Sequence, residues 1–212
     1  MSVPKRPGTL ILVGFLLAWF LIELLVLYVS GEQTAQWWFY LRKPDVWPPT
    51  SFTAGILFSP LSHHLHDFTH ITGNVVMLLT IGWFVEPPLG TRKLVGVTVL
   101  SAYAGMFLGI VLAPLFRMWP VAGLSGGIYT LLVYSGFTLH DVIDAQVFGS
   151  VPNYARRETE RYGYVPLAVF FLLLGYEIVF TGNIGHTIGL LIGFVYYRVE
   201  TRSSSIPVRL RP

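Results

Sequence analysis

Long stretches of this chain carry almost no charge, and that pattern leaves few folds open. A helix of about 20 apolar residues can cross a bilayer, because it satisfies its own backbone N–H and C=O groups. Six apolar segments can be counted, at residues 9–29, 70–85, 94–115, 124–139, 165–180 and 184–197. Hydrophobic residues make up 53% of the 212 and charged residues only 12%, against about 25% charged in an ordinary soluble domain. The expected fold is therefore all-α, a polytopic six-helix transmembrane bundle. One membrane domain over residues 1–212 is expected, with its core at about 9–199 and short cytoplasmic tails.

Several segments fall short of the roughly 20 residues that span unaided. Short helices span when neighbours shield their ends or the bilayer thins. A helix that begins partway down the membrane also leaves room for a water-filled cavity above it. The fourth and sixth segments are the candidates. The first run is longer than the roughly 7–15 apolar residues of a cleavable signal, and it reads as a retained span.

Lys and Arg set the orientation. With the N-terminus in the cytoplasm, eleven fall inside (Lys5, Arg6, Arg92, Lys93, Arg156, Arg157, Arg161, Arg198, Arg202, Arg209, Arg211) and three outside (Arg42, Lys43, Arg117). That asymmetry predicts a multi-pass protein of the cell membrane with both termini cytoplasmic. The net charge of +3 lies in loops that topology explains, and no nucleic-acid signal accompanies it. The first outer connection carries Trp37, Trp38, Phe39, Tyr40 and Trp47, aromatics that suit the membrane interface. The 153–164 loop, rich in Arg, reads as a solvated cytoplasmic connector. No cysteine is present, which excludes disulfides, thiolate metal sites and cysteine nucleophiles.

Polar groups inside apolar segments are costly, so they mark function or hydrogen bonding. Gly123-Leu124-Ser125-Gly126 opens the fourth segment, and His186 sits near the start of the sixth. His70 and Asn74 open the second, and Glu23 and Glu177 lie within the first and fifth. Each has a bland reading alone. Small residues pack helices closely, and membrane histidines often bond structurally. Taken together, Ser125, His186, His70 and Asn74 all begin their helices at the outer face. A serine needs a neighbouring base to act as a nucleophile. The resulting oxyanion needs donors, which a His side chain, an Asn amide and helix-start N–H groups supply. Gly123 and Gly126 would let a substrate backbone come close. Every part for acyl transfer is present except a carboxylate to orient the histidine.

These residues carry a resemblance. Gly123-Leu124-Ser125-Gly126 with Tyr129 resembles the Gly-x-Ser-Gly of the rhomboid family's fourth helix. His186 with Gly189 and Gly193 resembles its His-x-x-Gly-x-x-x-Gly in the sixth. His70 and Asn74 are similar to its His-x-x-x-Asn in the second, and Glu86-Pro87-Pro88-Leu89-Gly90 to its Glu-x-x-Leu-Gly. The resemblance implies an intramembrane serine endopeptidase with a Ser125–His186 dyad and no acid. It implies oxyanion stabilisation by His70 and Asn74, and Tyr129 packed on the imidazole. It also implies substrates that are single-span membrane proteins entering from the lipid, with no cofactor and no metal. Asn183 resembles a polar residue just before the family's catalytic histidine. Two departures stand out: the 181–185 connection is short for a capping loop, and Trp47 is followed by Pro48 where the family often has Trp-Arg.

The alternatives are a catalytically silent client-binding relative and a small transporter with a proton path through His186, Glu177 and Glu23. The silent relatives lack the Ser or the His, and both are kept here. The His63, His64, His66, His70 cluster lacks a carboxylate or Cys to complete a tetrahedral metal site. Glu23 and Glu177 are expected to hydrogen-bond structurally. Glu23 should meet the first outer loop or a neighbouring helix, and Glu177 should face inward near the outer end of its helix. Exchange of either for Gln is expected to preserve much of the activity.

Overall fold

The computed structural model describes residues 6–40, 54–66, 68–116, 123–148, 165–181 and 183–203. The described residues form helices and no strand. Helix α1 (Pro7–Phe39) is followed by a short α2 (Gly55–Phe58) that runs into a 3-10 turn (Ser59–Leu61). Next, α3 (Phe68–Met77), a π-helical turn (Leu78–Gly82) and α4 (Trp83–Leu89) form one continuous helix. Helices α5 (Thr91–Phe116), α6 (Ser125–Phe148), α7 (Val165–Tyr176) with a second π-turn (Glu177–Thr181), and α8 (Ile184–Ser203) complete the bundle.

Each of the six apolar segments thus lies on a helix. Three helical stretches, Pro7–Phe39, Phe68–Leu89 and Thr91–Leu112, are long and apolar enough to cross a membrane by length and composition. The helices α6 and α8 reach 24 and 20 residues, longer than the apolar runs that announced them. A helix does not stop where hydropathy stops, because its backbone bonds continue through polar residues.

The first segment also continues beyond its apolar run. Gly31 (φ 79°, ψ 170°) breaks the helical path, a conformation that glycine adopts without a Cβ penalty. The chain resumes as a short helix carrying Trp37, Trp38 and Phe39. Trp37 and Trp38 are exposed while Phe39 is buried and meets Trp19 edge-on. Tyr40 then ties this stretch to the loop before α3, donating to the His63 carbonyl (2.8 Å) and accepting the Leu65 N–H (2.7 Å). Arg42, Lys43, Trp47, Pro48, Arg117 and the 153–164 loop lie outside the described residues.

Helices α5, α6 and α8 pack on one another, with α1 covering α5. Leu12, Leu16, Leu78, Leu94, Leu124, Ile128 and Leu131 fill the space between them. Outward positions such as Leu21, Phe84, Leu100 and Leu172 are large, apolar and exposed, which suits a bundle solvated by lipid. Helix α7 stands at the edge, held by Phe170 against Val133 and Leu190.

Glu86 anchors the start of α1. Its carboxylate accepts from the Gly8 and Thr9 N–H groups (2.7 and 2.9 Å) and from the Thr9 and Thr91 hydroxyls (2.8 and 2.7 Å). The first N–H groups of a helix lack intrahelical partners, and an anion there also meets the positive end of the helix dipole. The Glu-Pro-Pro-Leu-Gly motif is thereby a structural clamp, closed by Gly90 at φ 82°.

Candidate active site

Ser125 is the first residue of α6, and His186 lies on the first turn of α8. Asn183 caps α8: its side-chain oxygen accepts the His186 N–H at 3.2 Å, the ordinary use of Asn before a helix. The short 181–185 connection follows from this, since α8 begins three residues after the π-turn ends at Thr181.

The spacing between α6 and α8 is set by glycine. A Cβ on Gly189 would collide with the Gly126 carbonyl, and one on Gly126 would sit 3.0 Å from the Gly185 carbonyl. The Thr130 hydroxyl crosses the same contact, donating to the Gly189 carbonyl at 2.8 Å. Small residues and a hydroxyl are the usual means of close approach between membrane helices. Gly126 therefore has a packing role as well as a place in the lining of the cavity beside Ser125. Its missing side chain admits α8, because the helix faces Gly185 and Gly189 there. Gly189→Val should therefore destabilise the protein by about 1–3 kcal/mol through overpacking, read as a lower unfolding temperature in detergent. Gly136→Ala, with no atom within 4 Å of its Cβ position, should leave that temperature unchanged.

At this crossing His186 Nε2 lies 2.8 Å from Ser125 Oγ. The Tyr129 ring stacks on the imidazole at 4.1 Å and 12°, one turn along α6 from Ser125. Ser125 is 7% exposed and borders a small cavity with Pro60, Ala102, Met106 and Gly123. On the far side of the ring, Nδ1 lies 3.1 Å from Glu177 Oε2. The sequence reading found no carboxylate to orient the histidine. Glu177 occupies that place, because the π-turn at the end of α7 brings it inward beside the start of α8.

Gly123 precedes Ser125 at φ 127° and donates its N–H to the Ser59 carbonyl at 2.7 Å. Its Cβ position would lie 3.0 Å from His70 Nε2, so the His70 ring rests against the backbone leading into α6. Asn74, 3% exposed, has its amide nitrogen 3.1 Å from His63 Nε2, and the His63 and His70 rings are 5.3 Å apart. Burial pushes the His63 pKa down to about 3, with the nearby His70 adding to the effect, so His63 is neutral near pH 7 and its ring can accept from Asn74. The four histidines of the cluster diverge. His63 is buried, His64 and His66 are exposed, and His70 faces Gly123. Glu23 is fully buried and accepts the His63 N–H at 3.2 Å, the contact with the outer loop expected of it.

A family model for the rhomboid domain matches residues 51–203. The chain belongs to the rhomboid family. It is similar to rhomboid protease GlpG of Yersinia pestis (strain Pestoides F) and of Yersinia pseudotuberculosis (serotype O:3, strain YPIII). Each is 26% identical over 190 residues, which cover 87% of this chain and 61% of the relative. The chain thus spans about three fifths of the length of the curated relatives it matches. This rhomboid is an integral membrane protein and a member of an intramembrane protease family.

Two residues of the site escaped the sequence reading in part. Glu177 was expected to face inward and hydrogen-bond structurally, with no link drawn to His186, although it lies only nine positions before it. His63 was grouped with its exposed neighbours. The only sequence signal separating it is its nearness to Asn74, eleven positions on.

Proposed function

We propose that this rhomboid is a serine endopeptidase that cuts single-span membrane proteins within the bilayer. Ser125 is the nucleophile and His186 the base. The observation that carries this reading is the 2.8 Å contact between Ser125 Oγ and His186 Nε2 at the mouth of a small cavity. A serine is activated when its proton has a base within about 2.6–3.2 Å. Oγ attacks the scissile carbonyl carbon while its proton passes to Nε2. The tetrahedral intermediate collapses as Nε2 returns the proton to the leaving amine. Water then hydrolyses the acyl-enzyme by the same relay in reverse, regenerating Ser125. His70, Asn74 and backbone N–H groups near Gly123 stabilise the oxyanion. Tyr129 holds the imidazole plane.

The substrate class follows from the surroundings. The cavity lies within a bundle whose outer surface is apolar, so a substrate arrives from the lipid. Its scissile bond must leave helical geometry to reach Ser125, since a helix shields its own carbonyls. The test is cleavage of a panel of single-span proteins by purified protein in liposomes, wild type beside Ser125→Ala. Unchanged cleavage by Ser125→Ala would sink the proposal.

The chain crosses the membrane six times with both termini cytoplasmic. Arg92 and His66 are both exposed and fall on opposite sides in that topology. Because the natural chain has no cysteine, Arg92→Cys should label only from the cytoplasm and His66→Cys only from outside. Labelling of Arg92→Cys in intact cells by an impermeant reagent would overturn the orientation.

A further inference from the structure

Helix α7 ends in residues that face outward. Tyr176, Ile178, Val179 and Phe180 are all exposed and apolar or aromatic, while Glu177 among them is 2% exposed. The chain widens into a π-turn at Glu177 itself. A π-turn inserts a residue into the helical path and re-aims the side chains around it, and such turns recur at functional sites. A carboxylate within a bundle in lipid is expensive unless its oxygens are bonded. Here one oxygen is 3.1 Å from His186 Nδ1, whose opposite nitrogen is 2.8 Å from Ser125 Oγ. The Tyr129 hydroxyl engages the same carboxylate while its ring stacks on the imidazole. The imidazole is thus held through its face and through its Nδ1 edge, and both restraints converge on Glu177.

We propose that Glu177 is a positioning residue that turns the Ser125–His186 pair into a Ser–His–Glu triad. This rests on the reading of Ser125 and His186 as nucleophile and base. Nε2 can accept the Ser125 proton only if it carries no hydrogen, which requires the neutral ring to hold its hydrogen on Nδ1. A carboxylate accepting from Nδ1–H selects that tautomer and fixes the ring's direction. When Nε2 takes the serine proton, the ring becomes positive, and the adjacent carboxylate stabilises that charge. Glu177 itself gains no proton in the cycle. The expectation of a dyad whose acid is dispensable is replaced by one in which the acid raises turnover.

The experiment compares wild type, Glu177→Gln, Glu177→Leu and Ser125→Ala, each as the full chain in liposomes with one single-span substrate. Glu177→Gln should lower kcat by roughly 100- to 10,000-fold with KM within roughly twofold, since the lost interaction belongs to the transition state. Glu177→Leu should be at least as slow. In wild-type protein with 15N-labelled histidine, the His186 signal, identified by its loss in His186→Ala, should show hydrogen on Nδ1 and none on Nε2. In Glu177→Gln that signal should report a mixture of tautomers. Wild-type kcat in folded Glu177→Gln would overturn the triad, as would a wild-type ring carrying its hydrogen on Nε2. The second measurement decides the matter even if both Glu177 variants fail to fold. Cleavage that survives Ser125→Ala would instead overturn the protease reading beneath it.

Discussion

Ser125→Ala and His186→Ala should each reduce cleavage of a single-span substrate to background, and the double variant should be no slower than either alone. The reason is geometric. The two side chains share one proton path 2.8 Å long, and residues that act as one unit do not add when removed together. Neither change should unfold the protein. Ser125→Ala removes one hydroxyl at a cavity edge and its bond to His186, while the close approach of α6 and α8 at Gly126, Thr130, Gly185 and Gly189 is kept. Unfolding temperature in detergent should therefore stay close to wild type for Ser125→Ala. Covalent labelling by a serine-directed phosphonate supplies a second readout, which should be lost in Ser125→Ala and strongly slowed in His186→Ala. Turnover by either single variant at more than a tenth of the wild-type rate would contradict the assignment.

The second large effect is expected at the oxyanion corner. His70→Ala and Asn74→Ala should each lower kcat by roughly 10–1000-fold, the cost of one oxyanion donor, while KM changes little because the negative charge is absent from the bound substrate. The structure adds a third residue to this prediction. Asn74 is oriented by His63 through the 3.1 Å contact between its amide nitrogen and the buried, neutral ring. The amide has a second N–H to offer an oxyanion only while the first is held. His63→Leu should therefore cost nearly as much kcat as Asn74→Ala, and the two changes together should cost no more than the larger one. Additive losses would show that His63 and Asn74 act separately. A rise in KM at constant kcat would place Asn74 in substrate binding.

Much of this protein was legible in one dimension, for identifiable reasons. Hydropathy reports each span separately, because every membrane helix must bury its own backbone bonds in a medium without water. The six helical segments and the all-α class follow from that local requirement. Helix periodicity is local too, so Tyr129 could be placed one turn from Ser125. Assigned alternately to the two faces of the bilayer, the starts of the second, fourth and sixth segments fall on one side, which is why the sequence offers Ser125, His186, His70 and Asn74 as one set.

The tertiary structure decided what periodicity cannot carry. Glu177 turns inward through a π-turn, and no hydropathy pattern reports a widened helical turn. His63 stands apart from His64 and His66 because it alone of the three is buried beside Asn74, which depends on how the loop before α3 folds back on α1. Gly126 serves the helix crossing because α8 happens to approach on that side. Glu86 reaches the start of α1 across 77 and 78 positions of sequence. Each of these contacts depends on the direction in which one element meets another. Direction is set by the packing of the whole bundle, whereas composition and spacing record only which residues are available and at what depth.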